Sequence, residues 1–170
     1  MKLIISGHSG AGKTTLINLL IKKLDCDIYG FFTKKYEGYT KIPPVYIHAA
    51  NRPISFSEAN RVGSCKNMTP EKRPEIFDTY GVYTLKNIPE KSTVVMDELG
   101  IMEEQAKIFK TKVFSVLRGD YNVIAAIRDK HTPFLDEIRN TKNAIVLDLE
   151  QSNRDLIKKL ALEIINKAYK

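Results

Sequence analysis

Residues 7–14, Gly7-His8-Ser9-Gly10-Ala11-Gly12-Lys13-Thr14, satisfy GxxxxGK[ST], and Thr15 follows with a second hydroxyl. These residue types in this order grip phosphate. The glycines let the backbone turn and bring several N–H groups round an anion without Cβ clashes. A helix beginning at the end of the loop adds its positive N-terminal end. Lys13 reaches β- and γ-phosphates, and the Thr14 hydroxyl suits Mg²⁺. His8 has two open readings, a plain loop residue or a phosphate contact.

A second group of chemistry-bearing residues lies at 97 and 98. Thr93-Val94-Val95-Met96 reads as a buried strand that ends in Asp97 and Glu98. An acid at a strand tip orients a water of a Mg²⁺ shell, which assigns Asp97 to the metal with Thr14. The next side chain points the other way along a strand. Glu98 is therefore expected to face the γ-phosphate and polarise an attacking water. Asp97-Glu98-Leu99-Gly100 also spells DxxG, a short motif of switch GTPases, but no guanine-reading NKxD follows it. Two arginines join the candidates. Arg128 ends an apolar run, where a charge-stabilising arginine belongs; residues 128–131 read equally as a short lid or as a surface turn. Arg154, before the last helical pattern, suits either a base contact or an ion pair at a helix start. Thr33 and Lys34 end another strand and are placed to line the mouth of the site.

The elements that position these residues can be read from periodicity. Residues 2–6 and 28–33 are apolar strand-like runs, and 14–24 has apolar residues at helical spacing: Ile17, Leu20, Ile21 and Leu24. Residues 45–49 read as a strand inside a proline-rich stretch, 34–75, whose remainder reads as loop. Residues 76–88 fit strand and helix equally well. Beyond them a strand is expected from 92, a helix over 103–117, a strand over 121–127, a short helix over 133–140 and a strand over 144–149. The last element, 155–169, is an amphipathic helix with Ile157, Leu160, Ala161, Ile164, Ile165 and Ala168 on one stripe, and Ser152 or Asn153 is its expected cap. This alternation predicts an α/β fold of three layers, a mostly parallel central sheet with helices on both faces. Ligands in such sheets bind beyond the carboxyl ends of the strands.

The chain has 170 residues, 43% hydrophobic and 28% charged, the composition of an ordinary globular domain. One domain over 1–170 is expected. No apolar run approaches membrane-spanning length, and no secretory cleavage pattern follows the N-terminal residues. Cys26 and Cys65 make no CxxC spacing, and His8, His48 and His131 make no metal-ligand spacing. A cytoplasmic protein fits best. The net charge is +7, and residues 34–73 hold eight basic side chains against three acidic ones. Such a segment attracts nucleotide or nucleic acid, yet no aromatic-interleaved RNA-binding motif accompanies it. A solvated basic surface is the favoured reading, a nucleic-acid interface the lesser one, and a monomer the expected state.

With both motifs placed, the chain resembles the small nucleoside-triphosphatase family of P-loop proteins found in thermophiles, whose human member is the cancer-related nucleoside-triphosphatase. The opening strand and GxxGxGKTT of that family correspond to residues 2–15. Further matches are Gly30-Phe31-Phe32-Thr33, then Asp97-Glu98-Leu99-Gly100-Ile101-Met102-Glu103, then Asp136-Glu137-Ile138-Arg139, and last Ser152-Asn153-Arg154-Asp155. The resemblance implies a P-loop NTPase core akin to nucleotide kinases and Mg²⁺-dependent hydrolysis of ATP, GTP and other nucleoside triphosphates. Two departures stand out. Ile101 occupies the family's lysine position, and Lys34-Lys35 occupy an acidic pair; residues 40–90 match poorly. Hydrolysis is the leading expectation. A kinase with an acceptor held by the irregular basic segment 34–90, and a nucleotide-binding accessory module, are the alternatives.

Overall fold

In the computed structural model, residues 1–36, 38, 42–66, 69–149 and 154–169 are described, excepting the side chains of 65, 66, 69 and 70. Among the described residues, eight strands form one sheet: β1 (Lys2–Gly7), β2 (Ile28–Lys35), β3 (Pro44–Ala49), β4 (Arg61–Lys66), β5 (Thr69–Lys72), β6 (Thr93–Leu99), β7 (Asn122–Arg128) and β8 (Ala144–Asp148). Their order is β5-β4-β3-β2-β6-β7-β1-β8. The five strands from β2 to β8 in that order run parallel, and β3, β4 and β5 extend the sheet antiparallel beyond β2.

Strand alternation divides the core into two layers. Leu3, Ile5, Val95, Ile124 and Ala126 face α1 (Lys13–Ile21) and the last helix, α6 (Arg154–Ala168). Ile4, Val94, Met96, Val123 and Ala125 face the other side. There they meet α4 (Lys107–Arg118), α5 (Pro133–Arg139) and an irregular helix built of α2 (Pro74–Ile76), a π turn (Phe77–Gly81) and α3 (Val82–Thr84). Phe109 packs between Phe31 and Phe77 with ring centroids 5.4 and 5.2 Å away. Burying each such ring contributes about 2–3 kcal/mol. Gly30 lets β2 lie hard against β6: its φ is +96°, and a Cβ there would run into the Val95 carbonyl.

The structure changes four expectations. The stretch read as loop contains β4 and β5, despite Pro70. The ambiguous run 76–88 is helical through residue 84. Glu103 does not start a helix; α4 begins four residues later, and 101–105 form turns. The stripe of α6 is narrower than expected, with Ile157, Ala161 and Ile165 buried and Leu160 partly exposed. The expected caps Ser152 and Asn153 lie outside the described residues. The short helix α5 follows its sequence signals: Pro133 occupies the first turn and Thr132 Oγ1 accepts from the Leu135 N–H.

Candidate active site

The carboxyl ends of β1, β6, β7 and β2 bring the candidate residues to one edge of the sheet. The loop from Gly7 to Gly12 turns there, with Gly10 and Gly12 at φ +82° and +105°, a region other residues rarely enter. Lys13 is the first residue of α1, yet its side chain is buried and folds back over the loop. Its Nζ donates to the carbonyls of Gly7 and His8, both at 2.7 Å. His8 itself is exposed, with Nδ1 2.7 Å from the Ser9 carbonyl.

The two acids divide as their types suggest. On β6, Met96 pairs with Ala125 and Leu99 with Ile127, so Asp97 and Glu98 together face one residue of β7. A bulge of this kind re-aims side chains beside sites. Asp97 is 1% exposed, and neither carboxylate oxygen has a hydrogen-bond partner among the described residues. Burial pushes its carboxyl up to about 6 and nearby Glu98 adds to the effect, while Thr14 and Lys13 oppose it. Thr14 is thus close enough to favour the carboxylate without meeting either oxygen in hydrogen-bond geometry. A buried acid with both oxygens unsatisfied, beside a hydroxyl, is suited to a hard cation.

Glu98 is held between two cations. Arg128 Nε donates to its Oε1 at 2.6 Å, and Lys13 Nζ lies 3.7 Å from Oε2. Its backbone N–H donates to Thr33 Oγ1 at 3.1 Å, which gives Thr33 a definite part at the mouth. The terminal nitrogens of Arg128 make no hydrogen bond among the described residues. Its aliphatic chain crosses Gly100, where an added Cβ would stand 3.0 Å from Arg128 Cγ.

Residues 128–131 are a pinned turn. Asp129 donates its N–H to the Gly7 carbonyl at 3.2 Å. Arg139, from α5, donates to the carbonyls of Arg128 and Lys130 at 2.8 and 2.9 Å, and to Asp136 at 2.8 Å. Sequence reasoning gave Arg139 no role at the site; its signal was the Asp136-Glu137-Ile138-Arg139 match. Glu103 was also missed. Its carboxyl is buried behind Gly100, whose N–H donates to it. Burial pushes it up to about 7; the Gly100 and Glu103 N–H groups oppose this, Glu98 adds to it and Arg128 opposes it. Arg154 is exposed at the first position of α6 and makes no ion pair among the described residues.

This arrangement of phosphate loop and strand-end acids coincides with a match of residues 2–162 to the model of the NTPase family. The chain belongs to the NTPase family. It is similar to curated proteins named nucleoside-triphosphatase THEP1. One from Aquifex aeolicus is 28% identical over 98% of this chain and 100% of its own. Another, from Methanocaldococcus jannaschii, is 27% identical over 98% of this chain and 96% of its own. The crystal structure of THEP1 from Aquifex aeolicus matches at TM-score 0.76, with 25% identity, covering 96% of this chain and 98% of that one. The solution structure of a human cancer-related nucleoside triphosphatase shares the fold at TM-score 0.68 and 21% identity, over 98% of this chain and 96% of that one. NTPase membership makes the chain an enzyme of nucleoside-triphosphate hydrolysis. Among the described residues, no helix is long and apolar enough to cross a membrane.

Proposed function

We propose that this NTPase cleaves the β–γ bond of a nucleoside triphosphate with Mg²⁺ held by Thr14 and Asp97, and with Glu98 on the attacking water. The observation that supports this is the side-by-side placement of an unsatisfied buried carboxylate and a carboxylate fixed by cations. Among the described residues no group of three or more His, Cys, Asp or Glu gathers to hold a metal. Thr14 and Asp97 are a donor set of the kind Mg²⁺ takes, which binds through one or two protein oxygens plus phosphate and water. When bound, Mg²⁺ neutralises charge on the phosphate oxygens.

The chain's own residues supply the rest. The amides of residues 7–15 cradle the phosphates, and Lys13 exchanges its two carbonyl contacts for phosphate oxygens. Arg128 positions Glu98 through Nε and offers its terminal nitrogens to the charge that develops on the γ-phosphoryl group and the departing nucleoside diphosphate as water bonds to the γ-phosphorus and the β–γ bond breaks. Glu98 accepts a hydrogen bond from water and withdraws its proton as the water attacks. Arg154 supplies the contact to the base. The test is phosphate release from ATP or GTP with no acceptor present, for the native chain and Glu98→Gln. The variant should lose about 10²–10⁴-fold in turnover with nucleotide affinity little changed. Equal loss of both, or release that requires an added acceptor, defeats the reading.

A further inference from the structure

The face of the sheet that carries the phosphate loop also carries a group of rings that hydrolysis does not use. Asp97, Phe32 and His48 stand at one register level on β6, β2 and β3. Lys34 and Tyr46 form the next level facing the same way. With strands about 4.8 Å apart, His48 is about 10 Å across the sheet from Asp97. Phe56, in the segment after β3, lies among the rings. Its centroid is 4.8 Å from Tyr36, 5.1 Å from Tyr46 and 5.2 Å from His48, and it stands almost perpendicular to the last two.

This group is open on one side. Tyr36 and Phe56 are 45% and 47% exposed, and residues 51–59 are exposed throughout. The opposite face of β3 buries Val45 and Ile47 in the core with Phe77 and Val82. Beneath Phe56 the His48 imidazole is buried, and its Nε2 has no hydrogen-bond partner among the described residues. Burial and the Lys34 charge favour its neutral form, so the floor beneath Phe56 adds no formal charge to the group.

Charge narrows the occupant. Arg61, Lys72 and Arg73 are engaged by Glu58, Glu71, Glu75 and Glu104. Lys34 and Lys35 are exposed and make no ion pair among the described residues. Among the described cations of residues 34–73, Lys34 and Lys35 are the pair beside the rings that no acid engages, and Arg52 lies over the Tyr83 ring. A short pair of cations suits one phosphate better than the long track that follows a polynucleotide backbone. Exposed rings with one or two cations beside them suit a planar base bearing a single phosphate.

We propose that this surface is a second ligand site, for a nucleoside monophosphate. The base lies against Phe56 and Tyr36, and the phosphate meets Lys34. Such a ligand sits on the γ-phosphate side of the loop, across β2 from Asp97, and its binding does not depend on hydrolysis. The chain has no tryptophan, so Phe56→Trp creates a single reporter at the surface. Titration of that variant with AMP and with UMP should quench its emission saturably. The affinity should survive Lys13→Ala, which disables the phosphate loop. It should fall about tenfold with Tyr36→Ala, the loss of one stacking ring, and fall with Lys34→Ala for AMP but not for adenosine. Absence of saturable quenching at millimolar ligand, quenching lost with Lys13→Ala, or quenching by oligothymidylate alone would each overturn the proposal. ATP hydrolysis by the native chain, measured in parallel, keeps the two readings apart: either can fail while the other stands.

Discussion

Glu103 shows what a single buried carboxyl costs and what it holds. It lies behind Gly100, bonded to that residue's N–H, and burial pushes it up to about 7 from an ordinary 4.5. The folded state then binds its proton more tightly than the unfolded chain does. Its contribution to stability is therefore full below about pH 4.5 and is lost as pH rises toward about 7. Glu103→Gln keeps an acceptor for Gly100 and removes the charge. The variant should match the native chain near pH 4 and exceed it near pH 8, by on the order of 1–3 kcal/mol. Urea unfolding at the two pH values measures this, and a gain that is the same at both would show that ionisation of Glu103 is not responsible. The residue was hidden in the sequence because its neighbours continue a helical apolar pattern. Only the fold shows that residues 101–105 turn to bury it. The positions of Lys13, Thr14, Asp97 and Glu98 were legible because motif spacing and the acidic end of a buried run mark them locally, while the bulge at 97–98 replaces the plain alternation expected there. Thr33 was legible as a strand-end residue at the mouth, though not its bond to the Glu98 N–H. Arg139 reaches the Arg128 and Lys130 carbonyls from another element, and no local pattern announces that contact.

At the level of elements, the parallel core was readable and its antiparallel extension was not. Strands β1, β6 and β7 are apolar runs buried on both faces, and α4 and α5 are short amphipathic or capped segments, so composition alone marks them. In β4 and β5, Gly63, Pro70 and alternating charges resemble loop, and pairing with β3 rather than propensity makes them strands. The helix over 74–84 mixes Tyr, Val and Thr with Gly81 and contains a π turn, which defeats a simple period. The contact of β2 with β6 makes a sharp prediction. Gly30→Ala places a methyl on the Val95 carbonyl in a conformation alanine avoids. It should cost more than about 2 kcal/mol in urea unfolding and lower turnover, because β2 also presents Thr33 to Glu98. A variant as stable as the native chain would show that β2 can draw away from β6. In α5, Arg139→Met should leave KM nearly unchanged and lower kcat, since the turn that carries Arg128 loses its two carbonyl ties. A change confined to KM would place Arg139 in substrate binding instead.

For the molecule as a whole, the excess of positive charge proves to be distributed rather than concentrated. In the basic segment Arg61, Lys72 and Arg73 pair with acids of β5 and its neighbours, and surface pairs of this kind each contribute little to stability. What should move global stability is the ligand. ATP with Mg²⁺ at about a hundred times its dissociation constant should stabilise the native chain by about 3 kcal/mol, a rise of several degrees in Tm. Lys13→Ala should show almost none of that rise. Equal rises for both in thermal melts would put the binding energy outside the phosphate loop.

Gly100 and Arg128 meet closely: the Arg128 chain lies where a side chain at 100 would press on it. Their histories are therefore tied. A lineage that enlarges position 100 displaces the arginine, and with it the grip on Glu98, unless position 128 changes too. In a collection of descendants of this chain the two positions should drift as a pair, and the order of change should be constrained, with a shorter side chain at 128 coming before a larger one at 100.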